Sequence, residues 1–264
     1  DLIDGTITST VTVSVNDAAS DNNFDAVADQ TVSVSTTDDD VAGFTVSEPD
    51  GSTTVTEAGG TDTFTVVLDA QPTADVVLSI TSSDTGEATV SGTVTFTSAN
   101  WNTAQVVTVT GIDDDIIDGT INSTITVTIV DAISDDNFDE VSDQSVSVST
   151  TDDDVAGFTI TETESGTEVN ESSTTDTFKV VLNAQPTSDV QISVTSADTG
   201  EVTASPATLT FTAANWDTVQ TVTVTGINDS VDDESQITAV TLSIVDANSD
   251  DDFDNVADQI VSVT

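Results

Sequence analysis

The sequence repeats itself over the length of a domain, and this repetition restricts the possible folds more than any other feature. The stretch VSVSTTDDDVAGFT stands unchanged at residues 32–45 and 146–159, an offset of 114 positions. After one inserted residue near Pro206 the offset becomes 115, so that Trp101 returns as Trp216. A period of this length predicts a tandem array of domains. The predicted array has three parts: the C-terminal part of a preceding repeat at 1–40, a complete repeat at 41–154, and a second repeat at 155–264 that lacks its terminal triple aspartate.

Apolar and hydroxyl side chains alternate along residues 41–154, and this period of two predicts strands with one buried face. No helical period competes with it. Seven strands, A to G, are predicted at 43–56, 63–68, 75–81, 92–97, 105–111, 121–130 and 144–150. The pattern indicates an all-β chain of tandem seven-stranded antiparallel β-sandwiches of the immunoglobulin-like kind. Residues 1–40 hold only strands F and G, so strands A to E either precede Asp1 or come from another molecule.

The charge of the chain excludes several classes of function. It carries 49 acidic residues against one basic residue, Lys179, for a formal net charge of -48. Nucleic acids and anionic membranes bind lysine and arginine patches, so neither is an expected partner. Without His or Cys, neither a Ser-His-Asp nor a Cys-His centre can form, and we expect no enzymatic activity. An acid-rich, cysteine-free chain with much Thr and Ser is typical of secreted cell-surface proteins, so we expect an extracellular location.

Strand direction predicts where the acidic loops lie. If each strand runs opposite to the one before it, the AB, CD and EF connections and the end of strand G share one end of the sandwich. We call this end the DDD pole. Ten carboxylates from these four segments are predicted there: Glu57, Asp84, Glu87, Asp113, Asp114, Asp115, Asp118, Asp152, Asp153 and Asp154. The opposite end carries a second acidic group in the FG loop: Asp131, Asp135, Asp136 and Asp139.

Clustered carboxylates need either protons or a cation. Two neighbouring carboxylates repel each other by roughly 1–4 kcal/mol at effective dielectric constants between water and a protein surface. An all-oxygen site suits Ca²⁺, which takes roughly six to eight oxygen ligands, whereas zinc and copper favour the His and Cys that this chain lacks. The alternative for the DDD pole is an unoccupied, salt-adapted surface. For the FG loop, metal binding and simple turn chemistry stay equally open.

Several motifs in the repeat resemble the Calx-β domain of sodium/calcium exchangers and bacterial surface proteins. They are TEAGG, SSDTGEA, VTVTGIDDDIID and VSVSTTDDDVAGFTVSE, and the likeness covers the whole repeat. Its most specific part is the acidic EF loop together with a terminal triple aspartate. The resemblance implies calcium at one pole of a sandwich. It implicates as calcium ligands Glu57, Asp84, Asp114, Asp115, Asp118, Asp152, Asp153 and Asp154.

The other two copies keep only part of this pattern. The N-terminal piece retains the triple aspartate Asp38, Asp39 and Asp40. In the second repeat the EF loop reads INDSVDDE, where Asn228 and Ser230 replace two acids. The candidate ligands that remain in the second repeat are Glu171, Asp198, Asp229, Asp232 and Asp233.

The position of the triple aspartate suggests a mechanical role. Only the residues VAG separate Asp154 from the next strand A, so calcium bound there would stiffen the joint between two sandwiches. We therefore expect a calcium-stabilised spacer repeat of a secreted adhesin or extracellular matrix filament. The expected partners are calcium ions and neighbouring repeats, in the same chain or in head-to-tail copies. A calcium sensor and a polysaccharide-binding adhesion module are the alternatives.

Overall fold

The computed structural model describes residues 2–49, 51–163, 166–230 and 234–264. The described chain consists of β-strands with a few short 3-10 turns, which confirms the all-β sandwich class. It divides into two compact units. Unit 1 comprises Asp1–Val55, Gly59–Ile112 and Asn122–Thr150, and unit 2 comprises Thr56–Ala58, Asp113–Ile121 and Thr151–Thr264. None of the helical segments in the described part of the chain is long and apolar enough to cross a lipid bilayer.

The chain begins with an antiparallel hairpin of β1 (Ile7–Val13) and β2 (Gln30–Thr36), which forms a sheet of its own. The first sandwich follows. Its strands are β3 (Phe44–Ser47), β4 (Thr53–Thr56), β5 (Thr61–Leu68), β6 (Val76–Ser82), β7 (Ala88–Val90), β8 (Thr93–Phe96), β9 (Gln105–Gly111), β10 (Ile121–Ile129) and β11 (Gln144–Thr151).

Two sheets build the first sandwich, in the orders β4-β11-β10-β6-β8 and β3-β5-β9-β7. Alternate residues of each strand point inward, so Phe64 and Val66 on β5 and Ile125 and Val127 on β10 are fully buried. Phe138, from the loop between β10 and β11, joins the same core. The outward positions are mostly Thr and Ser, as the period-two pattern predicts.

One of the seven predicted strands is divided between the sheets and one short strand was not predicted, so the described residues of the first sandwich form nine strands. Predicted strand A at 43–56 becomes β3 in one sheet and β4 in the other. Between them lie Pro49, which has no N–H for a ladder, and Gly51 with a φ of +82°. Strand D at 92–97 is found as β8, but the short β7 before it pairs with β9 in the opposite sheet. Three residues are too few for a period-two pattern to reveal.

The second sandwich lies in unit 2, and its described residues form two four-stranded sheets, β12-β13-β17-β15 and β16-β14-β18-β19. Its core contains the fully buried Phe178, Phe211 and Phe253. At the place of β4 the described residues show an isolated bridge between Thr167 and Val263. The strands are β12 (Phe158–Glu162), β13 (Thr175–Leu182), β14 (Val190–Ser196), β15 (Val202–Ser205), β16 (Thr208–Phe211), β17 (Gln220–Gly226), β18 (Thr238–Ile244) and β19 (Gln259–Val263).

Candidate metal centre

Glu57 and the triple aspartate of residues 152–154 lie side by side. Glu57 directly follows β4 and is fully buried. Its backbone N–H donates to the carbonyl of Thr151 at 3.1 Å, which fixes the AB turn to the end of β11. Carboxylate oxygens of Glu57, Asp152 and Asp154 lie within 4.8 Å of one another. These three side chains form what we call the joint cluster.

Asp152 links the EF loop to the end of β11. Its Oδ2 accepts hydrogen bonds from the backbone N–H groups of Asp118 at 3.1 Å and Gly119 at 2.9 Å. Its Oδ1 accepts from the N–H of Asp154 at 2.7 Å. Gly119 has a φ of +74°, a conformation that glycine adopts without strain. The EF loop is therefore held against the joint cluster by the backbone.

The electrostatic field at the joint cluster favours a cation. Burial raises the pKa of the Asp154 carboxyl, and the negative charges of Asp152, Asp115, Asp153 and Asp113 raise this pKa further. A raised pKa means that the ionised form of Asp154 is less stable here than in a solvent-exposed aspartate. A bound divalent cation reverses that balance, because it stabilises the ionised carboxylates.

Three further candidate ligands of the DDD pole, Asp114, Asp84 and Asp153, lie outside the joint cluster. The Oδ1 of Asp114 accepts from the N–H of Ile116 at 2.8 Å and so closes the EF turn. Asp84 accepts from the N–H of Gly86 at 3.0 Å in the CD turn. Asp153 is exposed. Among the described residues, none of these three belongs to a carboxylate group that could hold a metal ion, and their role as ligands stays a prediction.

The EF loop of the first repeat also contacts the second sandwich, within unit 2. The N–H of Gln185 donates to the carbonyl of Asp115 at 2.6 Å, and Ile116 forms a parallel bridge with Gln185. Ile117 packs against the core of the second sandwich. The loop that carries Asp113 to Asp118 is therefore attached to the next sandwich by main-chain and apolar contacts.

Residues 38–40 repeat this geometry in unit 1. Asp38 accepts from the N–H groups of Asp4 at 3.0 Å, Gly5 at 2.8 Å and Asp40 at 3.0 Å. The hydrogen bonds from Asp40 and Gly5 lower the pKa of Asp38. Carboxylate oxygens of Asp38, Asp39 and Asp40 lie within 4.8 Å of one another. The first aspartate thus accepts equivalent backbone hydrogen bonds in both copies, whereas the carboxylates that lie together differ between them.

The candidate ligands of the second repeat are only partly assembled. Glu171 lines a cavity of about 390 Å³ together with Glu201 and Glu234. Asp229 is exposed, and Asp198 accepts from the N–H of Gly200 at 2.8 Å, as Asp84 does in the first repeat. Asp232 and Asp233 lie outside the described residues. None of the described second-repeat candidates belongs to a group of three carboxylates that could hold a metal ion.

The FG loop acids divide into a buried anchor and exposed turn residues. The Oδ2 of Asp135 accepts three hydrogen bonds. Their donors are the N–H of Thr73 at 2.6 Å, the hydroxyl of Thr73 at 2.7 Å and the N–H of Ala74 at 2.8 Å. Burial acts to raise the pKa of Asp135, but hydrogen bonds from Thr73, Asn137 and Ala74 outweigh burial and lower it. Asp131, Asp136 and Asp139 are exposed. For Asp135 the structure therefore favours turn chemistry over metal binding.

Glu87 is a buried carboxylate that the candidate ligands did not include. It is only 7% exposed, and its carbonyl accepts from the N–H of Ile112 at 2.9 Å. The sequence placed Glu87 at the DDD pole, and it recurs 114 positions later as Glu201. That recurrence within the motif TGE was the signal that could have added Glu87 to the candidates.

Several solved structures are similar to the chain at low sequence identity. No protein-family model and no curated protein matches the chain. The crystal structure of CBD12 from CALX1.2 is similar with a TM-score of 0.29 and 17% identity, over 75% of this chain and 79% of that one. The apo-form Calx CBD1 domain is similar with a TM-score of 0.33 and 16% identity, over 44% of this chain and 100% of that domain. Domains 4–9 of the surface layer protein SbsC are similar with a TM-score of 0.31 and 21% identity, over 90% of this chain and 33% of that one. TM-scores this low establish neither a common fold nor a common activity.

Proposed function

We propose that the chain is a calcium-stabilised spacer, built of β-sandwich repeats, of a secreted adhesin or extracellular matrix filament. In this proposal Ca²⁺ binds at the DDD pole of one repeat and stiffens the joint with the next. The partners are calcium ions and neighbouring repeats, in the same chain or in head-to-tail copies. The location is the cell surface, and the module carries no catalytic activity.

The joint cluster is the observation that carries this proposal. A fully buried Glu57 faces two further carboxylates within 4.8 Å, in a chain whose only basic residue is Lys179. Placing ionised carboxylates together in a partly buried site is unfavourable unless they neutralise or bind a cation. Oxygen ligands from several segments, in a site without His or Cys, fit the flexible coordination of Ca²⁺ better than the strict octahedron of Mg²⁺.

The attachment of the EF loop explains why an ion here would stiffen the joint. One end of this loop is hydrogen-bonded to Asp152, and its middle contacts Gln185 of the second sandwich. Only Val155, Ala156 and Gly157 connect the triple aspartate to β12. An ion held at the joint cluster would restrain the linker at its first residue, beside a loop already fixed to the second sandwich. The resemblance of the EF loop and triple aspartate to Calx-β motifs also supports a calcium ion at this joint.

Thermal unfolding with and without calcium tests the proposal. The full chain is heated in millimolar Ca²⁺, in millimolar Mg²⁺ and in chelator, at one high sodium concentration that screens general charge effects. An ion that binds only the folded state stabilises it by about 2.7 kcal/mol at 100 times its Kd. We expect calcium to raise the Tm by several degrees and magnesium to do so much less. An unchanged Tm in calcium would leave a salt-adapted sandwich and overturn the proposal.

Two variants localise the effect. Asp154→Asn removes a carboxylate from the joint cluster, whereas Asp143→Asn removes the same charge from an exposed residue that is not a candidate ligand. We expect Asp154→Asn to lose most of the calcium-dependent rise in Tm, and Asp143→Asn to keep it. Equal losses in both variants would mean that the calcium effect depends on net charge alone rather than on this site.

A further inference from the structure

The EF loop of the N-terminal piece docks on the first sandwich, within unit 1. Leu2 forms a parallel bridge with Gln71, and the N–H of Ile3 donates to the carbonyl of Gln71 at 3.2 Å. The Ile3 side chain is only 9% exposed and belongs to the core cluster of the first sandwich, against which Ala42 and Val141 also pack. Ile3, Ala42 and Val141 line one surface cavity. The EF loop therefore inserts one apolar side chain into the sandwich that follows it.

The EF loop of the first repeat docks on the second sandwich by the same contact, within unit 2. Ile116 forms a parallel bridge with Gln185, whose N–H donates to the carbonyl of Asp115 at 2.6 Å. Ile117 stands 114 positions after the inserted isoleucine of unit 1 and packs, half-buried, against the core cluster of the second sandwich. The docking contact thus occurs once in each unit, with an isoleucine at the same place.

The receiving surface offers main-chain groups to the docked loop. Its glutamine belongs to the motif AQPT in both sandwiches. The glutamine side chain is engaged elsewhere: the Nε2 of Gln71 donates to the carbonyl of Ser98 at 2.9 Å, and that of Gln185 to the carbonyl of Ala213 at 3.3 Å. Main-chain groups are present in every loop sequence. Selectivity for one loop over another must therefore come from the inserted side chain.

The EF loop of the second repeat has a different residue at this place. With the offset of 115, Ile116 and Ile117 correspond to Val231 and Asp232, which lie outside the described residues. Valine keeps the apolar character of the first position. Aspartate replaces the inserted apolar side chain by a carboxylate, and burying an unpaired carboxylate among apolar groups is costly. The two EF loops therefore differ in the one side chain that the docking contact inserts.

We infer that residue 117 determines which EF loops can dock on a following sandwich. An apolar side chain there docks the loop beside the AQPT motif, and an aspartate, as in the second repeat, prevents this docking. The partner is a β-sandwich of the same kind that presents the AQPT main chain next to small apolar side chains. This inference goes beyond calcium binding, because the contact uses main-chain groups and one apolar side chain.

Hydrogen exchange of the Gln185 amide measures the docking, because this N–H donates to the loop. The full chain is studied in chelator, so that calcium makes no contribution. Ile116→Val and Ile117→Asp each introduce the residue of the second repeat. We expect Ile117→Asp to speed exchange at Gln185 by on the order of 10-fold, which corresponds to the loss of one partly buried isoleucine. Ile116→Val should leave exchange nearly unchanged.

A matched control separates docking from a general loss of stability. Ile260→Asp makes the same substitution in the second sandwich at a residue that is 62% exposed. We expect exchange at Gln185 to stay slow in this variant. Equal acceleration in the two aspartate variants would overturn the inference, and so would unchanged exchange at Gln185 in Ile117→Asp.

The amides of β13 report whether the second sandwich stays folded in each variant. If Ile117→Asp also speeds their exchange, Ile117→Ala, which shortens the side chain without adding a charge, replaces it. Faster exchange at Gln185 but not in β13 supports the inference, and unchanged exchange at Gln185 contradicts it. Because these measurements contain no calcium, their outcome is independent of the calcium-dependent Tm that tests the proposed function.

Discussion

Asp152, after β11, and Asp135, in the loop before β11, have opposite roles, which their neighbours decide. The Asp152 carboxylate accepts hydrogen bonds from three backbone N–H groups, and its oxygens lie within 4.8 Å of those of Glu57 and Asp154, in a group that could hold a metal ion. The Asp135 carboxylate is buried against Thr73 and Ala74, which satisfy it without a metal. One aspartate therefore serves the candidate site and the other anchors a loop.

Asp135→Asn should destabilise the first sandwich. The amide keeps one acceptor oxygen but turns an NH₂ group toward donors on Thr73 or Asn137, leaving buried hydrogen-bonding groups unmatched. We expect a loss of about 1–3 kcal/mol in the free energy of unfolding, measured by urea denaturation. Asp136→Asn, at the exposed next residue, is the control and should change little. If both variants lose the same free energy of unfolding, the loss comes from removal of a negative charge rather than from the buried hydrogen bonds of Asp135.

The stability that Asp135 provides should disappear in acid. Its pKa in the folded chain lies below the ordinary value of 3.8, so its contribution is present above that pH and is lost as pH falls through the folded pKa. The Tm difference between the parent chain and Asp135→Asn should stay constant from pH 7 to about pH 5 and shrink in more acidic solution. A difference that widens in acid would contradict the lowered pKa.

At the scale of the element, identical sequence patterns reach different environments. The FG loop contributes Phe138 to the core of the first sandwich, and the same position in the N-terminal hairpin leaves Phe24 exposed. Likewise, the segment predicted as strand A contributes to both sheets because Pro49 and Gly51 interrupt its ladder. An element's contribution to stability thus depends on the strands that pack against it.

Truncation of the two equivalent phenylalanines should give very different results. Phe138→Ala creates a cavity in a closed core and should cost about 3–5 kcal/mol in the free energy of unfolding. Phe24→Ala removes a largely exposed ring and should change stability by about 0.5 kcal/mol or less. Denaturant unfolding of each variant checks this, and similar costs would mean that Phe24 is covered in solution.

At the scale of the whole molecule, the proposed function depends on the joints rather than on the sandwiches. The EF loop joins its repeat's triple aspartate to Gln185 of the second sandwich, and Leu2 and Ile3 make the equivalent contacts with Gln71 in unit 1. In the proposed function, calcium would restrict the joint that these contacts form, whereas a sensor would change its conformation on binding.

Spin-label distances can measure this restriction. The chain contains no cysteine, so Thr95→Cys and Thr210→Cys, at exposed positions of β8 and β16, provide two unique labels. Calcium should narrow the distance distribution between the labels with little change in its mean, and Asp154→Asn should remain broad. A large shift of the mean distance would favour the sensor alternative.

Features that depend on local pattern could be predicted from the sequence. Period-two alternation located strands B, C, E, F and G to within about two residues of the observed ends. Alternating strand direction placed Glu57, the EF loop and the triple aspartate at one pole, and the structure brings these three segments together.

Which strands share a sheet and which faces are covered could not be predicted from local pattern. The division of strand A, the pairing of β7 with β9, and the contact of Asp135 with Thr73 all depend on residues far apart in the sequence. Val11 and Ile125 occupy equivalent positions in nearly identical segments, yet one is exposed and the other buried. The physical reason is that a side chain becomes buried only when another segment packs against it, and the local sequence pattern does not say which segment does so.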